Sequence, residues 1–349
     1  MLTRAFTKPV KRSPRHEENQ NVDQPETTIF YEYEDCLVGF MDDIPLVAAF
    51  NGRGSSWSPP PTMREVLRAS VGVMGMSCLG MTEKVVFLGG RICAVKRFRE
   101  VRLRRAEFGW RIMRTTEISR RCEHLVPVTA YLYSKRIKFV LCDYYPMGSL
   151  ADLLAGSRQH GHTALDWNQR LRIVQDIART IAFIHSQSPA YVKRMHLNVH
   201  GNIKSSNVMI NIDFSACLSE YGFAQLAGRV EIPDMCQPRQ GSQQPQYQLP
   251  HYVYSKELSQ KGDIYNFGLI VLDILGGPEA VLDYKNCIVQ KDGIRDGSIE
   301  FFEFLVEGKE KKHAVQLLEI GLACINQLDE ERPSIEQILL SLGSVVSNL

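Results

Sequence analysis

The sequence is short of several features, and each shortage removes a class of function. No apolar run approaches the roughly 18 residues that a membrane-spanning helix needs; the best candidate, Phe267 to Leu275, is broken by Asp273. The N-terminus has no apolar core of a secretory signal. Both absences predict a soluble, intracellular, cytoplasmic chain without a transmembrane segment. The nine cysteines are scattered and odd in number, and no C-x-x-C pair occurs. That excludes a disulfide framework and a zinc site, and fits a reducing compartment where thiols act as small buried hydrophobes. Excess charge of one sign is also missing: the formal net charge is +2, so nucleic acid is not an expected partner. No internal repeat is present.

The 349 residues are 44% hydrophobic and 23% charged, enough for one large bilobal domain or two smaller ones. Residues 1–62 differ from the rest. Arg4, Lys8, Lys11, Arg12 and Arg15 precede any acid, the stretch from Glu17 to Asp43 is acid-rich, and "NGRGSSWSPPP" closes the segment with turn formers. This predicts a disordered extension and linker, although "TTIFYEYEDCLVGF" is apolar enough to dock transiently. From Met63 the pattern becomes regular. "EKVVFLGGRICAVKRF" reads as a strand, a Gly89-Gly90 turn and a strand, and "IKFVLCDYY" as a third buried strand. Leu171, Val174, Ile177, Ala178, Ile181 and Ile184 recur at helical spacing, as do Val315, Leu318, Leu322 and Ile325. Strands followed by helices define an α+β fold with a small β-rich N-lobe, about 63–143, and a larger helical C-lobe, about 146–349. "MCQPRQGSQQPQYQLP" has no periodicity and reads as an exposed loop.

One strand carries an anomaly. Alternation puts Ile92, Ala94 and Lys96 on one face and Cys93 and Val95 on the other. A lysine inside an apolar strand is costly to bury unless it is paired or faces a ligand. Upstream lie Gly75 and Gly80, in a stretch where glycines would let backbone amides approach a phosphate. With Ala94-Val95-Lys96 and "VHGNIKSSN" following in order, the chain resembles a protein kinase domain. More closely it resembles the cytoplasmic domains of plant leucine-rich-repeat receptor-like kinases. "LVPVTAYLYSKRIKFVLCDYYPMGSLADLL", "LDWNQRLRIVQDIARTIAFIH", "VHGNIKSSNVMI", "SQKGDIYNFGLIVLDIL" and "ERPS" carry the likeness, which covers roughly residues 63–345.

The resemblance implies an ATP-binding set of Gly75, Gly80, Ala94, Lys96, Asp143, Tyr145 and Asn207. Its departures are as informative as its matches. The middle glycine of the family's phosphate-covering loop is Ser77, which tolerates positive φ poorly. The helix glutamate that holds the family's lysine has no match: counting lands on Met113 and Thr115, flanked by Glu107 and Glu117. Where the family has His-Arg-Asp, this chain has His200-Gly201-Asn202. Asn202 can hydrogen-bond but cannot act as a carboxylate base. Gly201 removes the arginine that would receive a phosphorylated loop. Lys204 and Asn207 match the phosphate lysine and one Mg ligand. The other metal ligand, the aspartate of Asp-Phe-Gly, is Glu220 in Glu220-Tyr221-Gly222. Its extra methylene displaces the carboxylate by about 1.5 Å, while magnesium demands near-ideal octahedral geometry. Asp263 matches the helix aspartate that holds the catalytic loop. Leu249-Pro250-His251 replaces Ala-Pro-Glu, although its usual partner Arg332 survives.

Together these imply a catalytically inactive receptor-like kinase, a pseudokinase with weak or no ATP binding, acting as a signalling scaffold or regulator. Two alternatives remain open. One is an atypical active serine/threonine kinase in which Glu220 holds Mg and solvent takes the proton. The other is a structural adaptor that binds no nucleotide. The implied partners are other proteins, receptor-like kinases or their signalling components, with peripheral association at the inner face of the plasma membrane. The basic run "KRFREVRLRR" is an ordinary solvated face or a dock for an acidic partner or anionic lipid.

Overall fold

The computed structural model describes residues 46–49, 61–161, 165–188, 195–227 and 258–347. The chain forms two compact units. The first ends at Thr116 and resumes over Val128–Tyr144; the second comprises Glu117–Pro127 and Tyr145–Leu349.

The first unit is built on β1 (Val47–Ala48), α1 (Met63–Arg68), β2 (Ser70–Ser77), β3 (Gly80–Val86), β4 (Ile92–Phe98), α2 (Arg105–Ser119, whose last turn leaves the unit), β5 (Val128–Tyr133) and β6 (Lys138–Asp143). The six strands form one antiparallel sheet in the order β1-β5-β6-β4-β3-β2. Alternation decides its faces. Cys93, Val95, Phe139, Leu141, Ala130 and Leu132 point into one apolar core with Met63 and Val66 of α1. Thr62 and Glu65 start α1 with a reciprocal capping box, the Thr62 hydroxyl accepting from the Glu65 amide at 3.2 Å. Burial pushes the Cys93 thiol up to about 12, so it is an inert small hydrophobe, as expected of these cysteines.

Two sequence boundaries are corrected here. The extension expected over 1–62 contributes a strand, because Leu46 and Ala49 are buried and β1 pairs with the free edge of β5. Leu46 also donates its amide to the Pro61 carbonyl at 2.9 Å. An unpaired sheet edge leaves backbone donors and acceptors open, and two residues suffice to close this one. Secondly, residues 117–127 belong with the second unit. Val126 donates to the Leu218 carbonyl at 2.9 Å, and Leu218 donates to that of His124 at 2.8 Å. The stretch "TTIFYEYEDCLVGF" and the loop "MCQPRQGSQQPQYQLP" lie outside the described residues.

The second unit contains α3 (Leu150–Gln159), α4 (Trp167–His185), β7 (Val208–Ile210), β8 (Ala216–Leu218), the short α5 (Phe223–Leu226), α6 (Gln260–Leu282), α7 (Tyr284–Asp296), α8 (Gly308–Cys324) and α9 (Ile335–Ser347). Asp166 and Gln169 box the start of α4, and the stripe from Leu171 to Ile184 is buried as its spacing predicts. Each such aliphatic side chain contributes about 1.5–3 kcal/mol relative to exposure. Helix α6 is long and apolar enough to cross a membrane, yet 83% of its apolar window is buried inside the fold. Its acids explain the difference: Asp263 and Asp273 are buried and hydrogen-bonded to neighbouring elements.

Candidate functional site

In the first unit Ala94 and Lys96 sit on the sheet face opposite the core, whereas Asp143 pairs with the core residue Cys93. Lys96 stands across from Thr82 on β3 and Val140 on β6; Ala94 stands across from Lys84 and Cys142. Lys96 is 5% exposed, and its ammonium donates to the Ser77 hydroxyl at 3.0 Å and the Thr82 hydroxyl at 3.2 Å. Ser77 in turn donates to the Gly80 carbonyl at 3.3 Å. A buried ammonium is tolerated because oxygen acceptors replace its water.

Ser77 changes the loop for a different reason from the one the sequence suggests. Its backbone does not take a positive φ; β2 and β3 simply pair from Ser70 opposite Val86 through to Ser77 opposite Gly80. The substitution matters through its hydroxyl, which occupies the lysine. Gly80 is required by packing within the sheet. It has φ 145, and a Cβ there would fall 1.9 Å from the Arg97 carbonyl oxygen. Gly75 has open space around it. Asp143, at the end of β6 opposite Cys93, is exposed.

The lysine's helix partner is not where the count points. Met113 is exposed, and the buried Thr115 donates its hydroxyl to the carbonyls of Arg111 and Ile112, both at 3.0 Å. Glu107 pairs with Arg111 at 2.7 Å, and Glu117 is exposed.

In the second unit the loop from His200 to Asn207 is fixed from below. Asp263, 1% exposed, accepts from the amides of His200 at 2.8 Å and Gly201 at 2.9 Å, and meets His185 Nε2 at 3.1 Å. Gly201 holds φ 76, and a Cβ there would lie 2.5 Å from Leu258. Glycine at this position therefore meets a backbone requirement. At the far end of the loop, Ser205 donates to Asp273 at 2.8 Å, and Arg158 reaches the same carboxylate at 3.1 Å. Lys204 precedes the 3-10 turn Ser205–Asn207, its carbonyl accepting from the Asn207 amide at 2.8 Å.

The groups presented by this frame are joined to one another. The Asn202 side-chain amide donates to Glu220 Oε2 at 2.6 Å, with both residues buried. Asn207 donates its own amide to the Asn202 carbonyl at 2.8 Å. Glu220 takes φ 65, a left-handed conformation that costs a non-glycine residue on the order of 1–3 kcal/mol. Tyr221 helps to hold it there, buried and donating its hydroxyl to the Leu197 carbonyl. His200 is also buried, and burial pushes its pKa down, so the ring is neutral at pH 7. Its Nδ1 accepts from the Asn202 amide at 3.2 Å, which leaves the proton on Nε2.

Magnesium requires several oxygens in near-octahedral order, and the Glu220 carboxylate already accepts a short bond from Asn202. Tyr145 opens the second unit half-buried, its carbonyl accepting from Gly148 at 3.0 Å. Arg332 pairs with Asp329 at 2.8 Å and lies 4.7 Å from the centre of the Tyr265 ring. Leu249-Pro250-His251 is outside the described residues.

A sheet of this order carrying a buried lysine, and a helical unit whose aspartate pins an His-Gly-Asn loop, define a protein kinase fold. The chain matches the protein kinase domain family over residues 73–341 and belongs to that family. Protein kinase domains in general bind nucleotide and magnesium. Among relatives, it is 33% identical over 290 residues to an inactive leucine-rich repeat receptor-like serine/threonine-protein kinase of Arabidopsis thaliana, covering 80% of this chain and 41% of that protein. The chain thus spans less than half the length of such relatives. Among solved structures, the pseudokinase domain of BIR2, an immune regulator of the RLK/Pelle family, aligns with TM-score 0.68 at 22% identity, over 91% of this chain and 93% of that one. The kinase domain of maize sucrose-induced receptor kinase 1, bound to AMP-PNP, aligns with TM-score 0.65 at 24% identity, over 86% and 99%.

The asparagine–glutamate bond was not visible in the sequence, which presents Asn202 and Glu220 as two separate losses. The signal that could have found it is chemical: a neutral amide can donate to a neighbouring carboxylate, which a second carboxylate cannot do when ionised.

Proposed function

We propose that this chain is a pseudokinase that works as a signalling scaffold or regulator among receptor-like kinases, without transferring phosphate. The observation that carries the reading is the 2.6 Å bond between Asn202 and Glu220. An amide donating into that carboxylate is the reverse of what phosphoryl transfer requires, which is a carboxylate facing the substrate hydroxyl and a second one on the metal. The Lys96 ammonium gives the chain a phosphate-binding cation, and nucleotide binds there weakly because the Ser77 and Thr82 hydroxyls compete for it. With receptor-like kinases as relatives, its partners are other proteins of that class, met on the cytoplasmic side of the plasma membrane.

The atypical-kinase alternative draws support from the intact frame, since Asp263 still holds the loop backbone. Labelled ATP separates the two. Purified full chain with magnesium is expected to incorporate no phosphate above a no-enzyme blank, into itself or a generic substrate. Reproducible incorporation that disappears in Lys96→Ala would establish the atypical kinase instead.

A further inference from the structure

The start of α2 carries cations where a helix favours acids. The N-terminal end of a helix is its positive pole and stabilises carboxylates, yet Arg105 opens α2, and the Arg104 carbonyl accepts its first bond, from Phe108 at 2.9 Å. Arg99 and Arg102 lie just upstream, and all four arginines are exposed. Arg102 pairs with Glu100 at 3.1 Å, while Arg99, Arg104 and Arg105 have no ion-pair partner among the described residues. The rest of the basic run is consumed inside the sheet, where Lys96 is bound by hydroxyls and Arg97 pairs with Glu83 at 2.9 Å. Four guanidiniums and two acids therefore lie at this helix end, Glu100 paired with Arg102 and the first-turn Glu107 paired with Arg111 at 2.7 Å.

The same chain holds the complement. Residues 16–45 contain nine acidic residues and no lysine or arginine. The register of β1 fixes where this stretch joins the fold. Val47 lies opposite Tyr131 and Ala48 opposite Ala130 in antiparallel order, so β1 begins at the Tyr133 end of β5. That end of β5 also anchors the arginine segment. Tyr133 donates its hydroxyl to the Leu103 carbonyl at 2.7 Å, and Phe108 packs on Tyr133 and Tyr131 with ring centres 5.3 and 5.9 Å away. Burial raises the Tyr131 phenol pKa, and the neighbouring Arg105 charge lowers it, consistent with this placement. Asp43 is three residues before Leu46, a reach of at most about 10 Å.

We propose that the acidic stretch Glu32–Asp43 docks on Arg99, Arg102, Arg104 and Arg105 of its own chain. The dock neutralises the unfavourable cations at the α2 terminus and covers the face that an acidic partner or anionic lipid would otherwise meet. Each contact is individually weak and screened by salt; the effective concentration of a tethered segment makes their sum count.

Hydrogen exchange of the full chain tests this. At about 50 mM salt, amides within 32–43 are expected to exchange about tenfold more slowly than their unstructured rates. The protection should vanish near 1 M salt, where the Debye length falls to about 3 Å. Arg104→Glu with Arg105→Glu should abolish it at low salt, and adding Glu34→Arg with Asp35→Arg should restore it. All four substitutions are at solvent-facing or terminal-segment positions, and an unchanged melting midpoint checks that the fold persists. Unprotected amides in the unaltered chain would overturn the proposal. So would protection indifferent to the arginine reversal. If the reversal changes only binding to phosphatidylserine vesicles, the cluster is a lipid dock and the acidic segment has no part in it.

Discussion

Two parts of the second unit, the frame beneath the loop and the groups it presents, hold their polar atoms in different ways. The frame beneath the loop is bonded to it directly: Asp263 accepts from two loop amides and meets His185, and Asp273 accepts from Ser205. The groups that the frame presents, Asn202 and Glu220, are bonded to one another. The difference follows from what each loss does to stability. Removing Asp263 would strand backbone donors of the loop, whereas Asn202 and Glu220 satisfy one another. Chemistry can be lost at a tip without unfolding the loop; the frame cannot be lost in the same way.

The sharpest way to break that contrast is Asp263→Ala. The buried His200 amide, the half-buried Gly201 amide and the His185 ring would lose their acceptor, at about 1–3 kcal/mol for each unsatisfied buried group. A destabilisation of about 3–5 kcal/mol is expected in urea unfolding monitored by fluorescence. A loss below about 1 kcal/mol would mean that the loop is held from elsewhere.

Next in size is Asn202→Asp, which introduces the carboxylate that the kinase resemblance leads one to expect there. In this chain it would set two carboxylates at the present 2.6 Å separation. Like charges that close cannot both ionise, so one carboxyl pKa rises in the folded state. A raised folded pKa means that stability is fully present below the unfolded carboxylate value, near pH 4, and is lost as pH rises through the folded one. The variant should match the parent near pH 4 and fall about 1–3 kcal/mol below it at pH 7. A variant equally stable at both values would show that the amide bond contributes nothing, and the compensated-tip half of the comparison would fail.

Much of this was legible in the sequence where one residue's periodicity or chemistry was enough. Lys96 stood out because alternation put a charge in an apolar strand, and the α4 stripe declared its buried face. The α+β order of strands and helices was likewise readable. What could not be read depended on pairs distant in sequence. The Asn202–Glu220 bond joins residues 18 apart, and the Lys96–Ser77 bond joins residues 19 apart. The sequence showed in each case a substitution, with no indication of what the new side chain would touch. Strand β1 was hidden for another reason: two residues amid turn formers carry no period, and only the open edge of β5 makes them a strand. Residues 117–127 went with the wrong lobe because their partner, Leu218, lies far along the chain.

The smallest expected effect bears on the comparison most directly, because nucleotide is the ligand that a working tip would require. In the first unit the Lys96 ammonium is a competent cation, but its two hydroxyl partners must be displaced by any phosphate. In the second, Glu220 must give up its bond to Asn202 before it can turn to a metal. Both demands subtract from affinity, and the expected dissociation constant is on the order of millimolar. With Mg-ATP at that concentration the stabilisation is RT ln 2, about 0.4 kcal/mol, which moves the melting midpoint of a domain this large by about 1 °C. Differential scanning fluorimetry with and without EDTA reads this out. A shift of about 5 °C or more would mean that the hydroxyls do not hold Lys96 against phosphate. If EDTA abolished that shift, Glu220 would be a working metal ligand, and the tip would have kept the chemistry that its bond to Asn202 argues it has lost.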